Sequence, residues 1–153
     1  TRAKLTEANR SYLAGLPEER EFENFLAVHG APSDPDRYIL SDWDAEEELC
    51  MLGGRTICFF GHTHIAVIYR MRNHHVDTVE TKSFVLESGC SYLLNPGSVG
   101  QPRDGDPRAA FLTYDDSGRI DFYRVGYDIE LAQRKILEAG LDEILARRLS
   151  LGR

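Results

Sequence analysis

The sequence predicts an α/β fold, a sheet flanked by helices and extended by further β structure, and three observations carry that prediction. Two runs of strand character, Phe22 to Val28 and Thr56 to Phe60, are separated by a stretch of helical character from Asp42 to Leu52, and strand, helix, strand is the repeating unit of parallel sheets. Six short β-like runs then follow, Ile65 to Met71, Val76 to Val79, Ser83 to Glu87, Tyr92 to Leu94, Ala109 to Tyr114 and Ile120 to Val125. Finally, the tail from Asp128 to Leu149 returns to helical spacing.

Taken in order, the elements have local chemical reasons. Leu5, Ala8, Tyr12 and Leu13 recur at helical spacing, and Pro17 ends that helix. Phe22, Phe25, Leu26, Ala27 and Val28 form an aromatic and β-branched strand that stops at His29-Gly30-Ala31-Pro32. The helix from Asp42 carries acidic residues in its first turns, where the helix dipole favours negative charge, and Gly53-Gly54 ends it. Thr56-Ile57-Cys58-Phe59-Phe60 is continuously apolar, as a central strand buried on both faces should be, and it runs directly into Gly61-His62-Thr63-His64. The later runs are separated by Asn73-His74, Ser88-Gly89 and Ser117-Gly118 turns and read as an antiparallel meander. In the tail, Gly140 divides the apolar series into two helices.

At 153 residues, with 42% hydrophobic and 28% charged residues, the chain suits a single domain spanning 1–153. A net charge of −7 argues against a broad cationic surface for nucleic acid. No apolar run approaches the roughly twenty residues of a membrane helix, and the first ten residues have no signal-peptide pattern, so a cytoplasmic setting is expected. Cys50, Cys58 and Cys90 are odd in number and widely spaced, which predicts free, mostly buried thiols.

Chemistry concentrates where predicted strands end. Loops at the carboxyl ends of strands in open α/β sheets are the usual ligand sites, because rigid strands fix the loops that carry the functional groups. His29, His62 and His64 all lie in such loops. A lone loop histidine is more often a satisfied polar group, which is the reading His29 receives by itself. Two histidines closing a fully apolar strand serve neither burial nor a turn, and on an extended backbone the imidazoles at positions 62 and 64 would point to one side. Imidazole suits zinc, iron, manganese or nickel, so the histidines alone select no metal. His74 and His75 read as an exposed turn. A second cluster, Asn95-Pro96-Gly97-Ser98-Val99-Gly100-Gln101-Pro102-Arg103 and on to Arg108, is either a long turn or a phosphate-binding loop in which Asn95, Ser98, Arg103 and Arg108 present donors.

The series His29-Gly30-Ala31-Pro32, Gly61-His62-Thr63-His64 and Asn95-Pro96-Gly97-Ser98-Val99-Gly100 resembles the calcineurin-like metallophosphoesterases, in particular the small bacterial and archaeal phosphodiesterase branch related to diadenosine tetraphosphatases. The resemblance extends over nearly the whole chain and implies the C-terminal portion of a four-layer αββα sandwich with its first strand-helix units missing. It also implies two divalent metal ions, of Mn, Fe, Zn or Ni, with His29 and His62 on one ion and His64 on the other. The implied reaction is metal-dependent hydrolysis of a phosphate ester, with the paired ions activating water.

The family's first motifs, Asp-x-His, Gly-Asp-x-x-Asp and Gly-Asn-His-[Asp/Glu], do not occur in these 153 residues. Three imidazoles are too few for two ions, so the isolated chain is expected to be inactive. A complementary N-terminal segment or a second copy of the chain is the expected partner. Two other readings remain open on the sequence: a non-catalytic scaffold with a phosphoesterase fold, and a mononuclear histidine-only zinc hydrolase.

Overall fold

A computed structural model describes residues 5–153. The elements run α1 (Glu7–Ala14), β1 (Glu19–Glu21), β2 (Leu26–Val28), α2 (Asp42–Cys50), β3 (Ile57–Phe59), β4 (Ala66–Arg72), β5 (His75–Thr78), β6 (Ser83–Val85), β7 (Cys90–Pro96), β8 (Ala109–Tyr114), β9 (Arg119–Val125), α3 (Ile129–Glu138) and α4 (Glu143–Leu151). They build a six-stranded mixed sheet in the order β1-β2-β3-β7-β4-β5 and a three-stranded antiparallel sheet in the order β6-β9-β8. This is the expected α/β architecture with two sheets.

Two expectations need correction. Phe22 and Phe25 do not continue the strand that ends at Val28. Phe22 N–H donates to the Phe25 carbonyl at 2.9 Å, and the two rings stack across the turn that pairs β1 with β2. Glu23 and Asn24 supply the polar tip of that turn. The β-rich middle is also not one meander. β7 inserts between β3 and β4, parallel to β3 with Cys58 opposite Leu93, while β6, β8 and β9 leave to form the second sheet. Burial explains the insertion: Leu93 faces the helix-side core, and Tyr92 and Leu94 face the inter-sheet core. A strand apolar on both faces belongs in the middle of a sheet.

Each face of the large sheet has its own core. On one, Ala45, Leu49 and Leu52 pack against Leu26, Cys58, Phe60, Tyr69 and Leu93. On the other, Ile57, Ile68, Tyr92 and Leu94 meet Ile120, with Phe59, Phe84, Leu112 and Phe122 filling between the sheets. Helix α2 starts with a full capping box, Ser41 and Asp44 satisfying each other's backbone N–H groups. Cys58 and Cys90 are buried and Cys50 is exposed, all three unpaired as thiols.

The C-terminal hairpin of α3 and α4 turns at Gly140, whose φ is +67°. The end of α4 meets the loop before β8: Gly105 N–H donates to the Gly152 carbonyl at 3.0 Å. A Cβ at Gly152 would lie 2.8 Å from the backbone nitrogen of Asp106, so only glycine fits that contact. In the same loop the Asp104 carboxylate accepts from Ala66 N–H at 3.2 Å and pairs with Arg124.

Candidate metal centre

β2, β3 and β7 are adjacent and parallel, so their carboxyl ends share one edge of the large sheet. His29 follows β2, Gly61-His62-Thr63-His64 follows β3, and Asn95 closes β7. The topology therefore gathers the three singled-out segments at one place.

The imidazoles of His29 and His62 converge, with His62 Nδ1 2.9 Å from His29 Nε2 and ring centroids 4.7 Å apart. Their backbones are joined as well, Gly61 N–H donating to the His29 carbonyl at 2.8 Å. Gly30 allows His29 to sit there: the loop folds back so tightly that a Cβ at Gly30 would lie 2.4 Å from the Pro35 carbonyl oxygen. Tyr38, from the same loop, lays its ring 4.2 Å from that of His62.

The backbone of the histidine loop differs from the extended path expected of it. His62 has φ +63° and His64 φ +61°, the left-handed region that costs a non-glycine residue about 1–2 kcal/mol. Such conformations persist only where the surroundings over-determine them, and they concentrate at functional sites. His64 is half-buried. Its Nδ1 lies 2.9 Å from the Gln101 carbonyl oxygen, which can only accept, so the neutral ring carries its proton on Nδ1 and leaves the Nε2 lone pair free. Burial is the largest influence on its pKa and lowers it; the Gln101 carbonyl opposes this, and the nearby charges of Arg103, His62 and His29 add to it. The ring is thereby biased toward the neutral, ligand-competent form.

The second cluster divides. Asn95 is fully buried; its amide donates to the Gly61 carbonyl and to Thr63 Oγ1, both at 2.9 Å, and its Oδ1 accepts from Gly97 N–H at 2.9 Å. Both amide hydrogens are therefore engaged within the protein in this structure. Arg108 is held by the Asp106 carboxylate through both Nε and Nη2. Ser98 Oγ accepts from Gln101 N–H at 2.9 Å, which leaves its own hydroxyl hydrogen to give. Arg103 is tied to the histidine loop by its N–H to the His64 carbonyl at 3.1 Å, and its Nε is buried without a partner. Tyr38 and Thr63 carried no recognisable signal in the sequence.

Two imidazole nitrogens on neighbouring positions of one divalent ion, with bonds of about 2.1 Å, lie about 3.4 Å apart in a tetrahedron and about 3 Å apart along an octahedral edge. The His29–His62 separation fits that edge, and the free Nε2 of His64 suits a second ligand position. Among the described residues no group of three or more His, Cys, Asp and Glu is arranged to hold a metal. The imidazoles thus fit part of a coordination sphere.

A metallophosphoesterase from Sphaerobacter thermophilus superposes on the whole chain with a TM-score of 0.88 and 35% identity. The fold is that of a metallophosphoesterase. The chain covers 64% of that bacterial protein. It is also 31% identical over its full length to an uncharacterized protein of Methanocaldococcus jannaschii, of which it spans 63%. A hypothetical protein from Pyrococcus horikoshii shares the fold with a TM-score of 0.78 at 21% identity, 99% of this chain covering 57% of it. No protein-family model matches the chain. Against these relatives the 153 residues amount to part of a metallophosphoesterase fold, and divalent metal use belongs to that family.

Proposed function

We propose that this chain carries the histidine share of a two-metal site that hydrolyses phosphate esters. The observation that supports this reading best is the meeting of His29 and His62 from two neighbouring parallel strands, beside a His64 whose Nε2 is left free. His29 and His62 would hold one ion and His64 the other. The ions, Mn, Fe, Zn or Ni by the donor set, would supply Lewis-acid stabilisation of the phosphoryl oxygens and activate water. Around them the chain's own groups would bind and orient: Arg103 would meet phosphate oxygens with its guanidinium, and Ser98 would donate its hydroxyl. Tyr38, 44% exposed, forms the rim next to His62.

Three imidazoles leave each ion short of ligands, and none of the described carboxylates joins them. On this reading the remaining ligands come from outside this one chain, from either a complementary segment or a second copy. The purified 153-residue chain is expected to hydrolyse an aryl phosphodiester in Mn²⁺ at no more than the background rate. Turnover by it at rates comparable to complete phosphoesterases would overturn the shared-site reading. Elemental analysis of the protein as it occurs in the cell checks the metal itself: stoichiometric metal, lost in His62→Ala, supports the hydrolase, and none favours a non-catalytic scaffold.

A further inference from the structure

We infer that Thr63 and Asn95 form a buried fastener that holds the His62 and His64 imidazoles in their ligand-ready poses, so that the Thr63 hydroxyl sets metal affinity without touching a metal. The inference rests on the metal-binding reading of those histidines and adds positioning residues to it.

Thr63 stands between two residues in the left-handed region and is itself 3% exposed. Its Oγ1 accepts from Asn95 Nδ2 at 2.9 Å and from Ile65 N–H at 3.3 Å. Asn95 extends the linkage to the Gly61 carbonyl on one side and Gly97 N–H on the other. The other restraints on the loop are backbone bonds: Gly61 N–H to the His29 carbonyl, Thr63 N–H to the Gly61 carbonyl at 2.7 Å, and Arg103 N–H to the His64 carbonyl. Any sequence could make those. The hydroxyl of Thr63 and the carboxamide of Asn95 are the sequence-specific members, and they are buried, where a lost partner leaves a polar group unsatisfied. His64 is the sensitive reporter, because its proton stays on Nδ1 only while the ring faces the Gln101 carbonyl.

Thr63→Val keeps the β-branched shape and removes the acceptor; Thr63→Ser keeps the acceptor and serves as the rescue. Two readouts apply to the ¹⁵N-labelled protein: the His64 tautomer from long-range ¹H–¹⁵N correlations without metal, and the Zn²⁺ dissociation constant from titration of the histidine resonances. We expect wild type and Thr63→Ser to show the Nδ1–H form. Thr63→Val should average the two tautomers and bind Zn²⁺ about 10- to 100-fold more weakly, the usual loss when a group supporting a ligand is removed. A Thr63→Val protein with the wild-type tautomer and affinity overturns the inference. Should that variant fail to fold, Thr63→Ala carries the same test, and slow exchange of the Ile65 and Gly97 amides in the unmutated protein checks the linkage directly; fast exchange there overturns it. Wild type that ignores Zn²⁺ overturns the claim that the hydroxyl sets metal affinity, and a His64 tautomer that still tracks the hydroxyl in that case upholds the positioning of the ring alone.

Discussion

Glu48 is fully buried in α2, yet its carboxylate is well occupied: Ser33 donates its N–H at 3.0 Å and its hydroxyl at 2.5 Å, and Arg37 Nη1 lies at 2.9 Å. These bonds clamp the loop that leaves β2 with His29. Glu48→Ala strands the Ser33 donors and removes one of the anchors of the partly exposed Arg37, which keeps Glu47, and leaving buried polar groups unsatisfied costs about 1–3 kcal/mol. Denaturant unfolding should show that loss, with Glu48→Gln falling between it and wild type. Part of this was open to sequence reasoning, because Glu48 falls on the same helical face as Ala45, Leu49 and Leu52, and a carboxylate on an apolar face asks for a partner. That the partner would be Ser33 was not readable, since fifteen residues of loop and helix separate them.

Helices and strands were legible where periodicity or a run of apolar residues forced them, as in α2, β3, β8 and the hairpin split at Gly140. Sheet order was not, because Tyr92-Leu93-Leu94 looks alike whether it pairs with a neighbour in sequence or crosses over to β3. The gathering of His29 with His62 followed from strand ends, whereas the left-handed turn at His62 and His64 depends on Asn95, thirty-odd residues away, and leaves no local mark. The β4–β5 connection shows the same backbone state with the opposite meaning. Asn73 and His74 have φ +51° and +61°, as a tight two-residue hairpin turn needs. Both are exposed, and neither side chain makes a hydrogen bond among the described residues that would reward the strain. His74→Gly should therefore stabilise the protein by up to about 1 kcal/mol in thermal melts, the relieved strain exceeding the added chain entropy of glycine. His62→Gly relieves the same strain and should abolish metal binding.

Acid sensitivity belongs to the whole molecule. Arg108 holds the Asp106 carboxyl down to about 2 by direct hydrogen bonding, against a smaller upward push from burial. For Asp104 burial pushes upward most, and the combined donors Arg124 and Ala66 N–H outweigh it. Asp77, under Arg70, is also lowered. Carboxyls depressed in the folded state add stability that is complete above their unfolded value of 3.8 and is lost as pH falls toward about 2. The melting temperature should decline through that window, less steeply in Asp106→Asn. At neutral pH the liability is apolar surface. None of the residues in α1 is buried, Tyr12, Leu13 and Leu16 are exposed, and so are Leu137, Leu141 and Ile144 on the C-terminal hairpin. Sedimentation of the isolated chain should show self-association, and a monodisperse monomer would contradict a requirement for a partner.

The contact between Gly152 and the Gly105 loop reaches further than its size suggests. Asp104, beside Gly105, receives the Ala66 N–H two residues beyond His64, so the final turn of α4 is linked by that short relay to the histidines. Gly152→Ala, whose Cβ would meet the Asp106 backbone, would press on this junction, and an enzymologist who made it could mistake a displaced loop for a weak metal site.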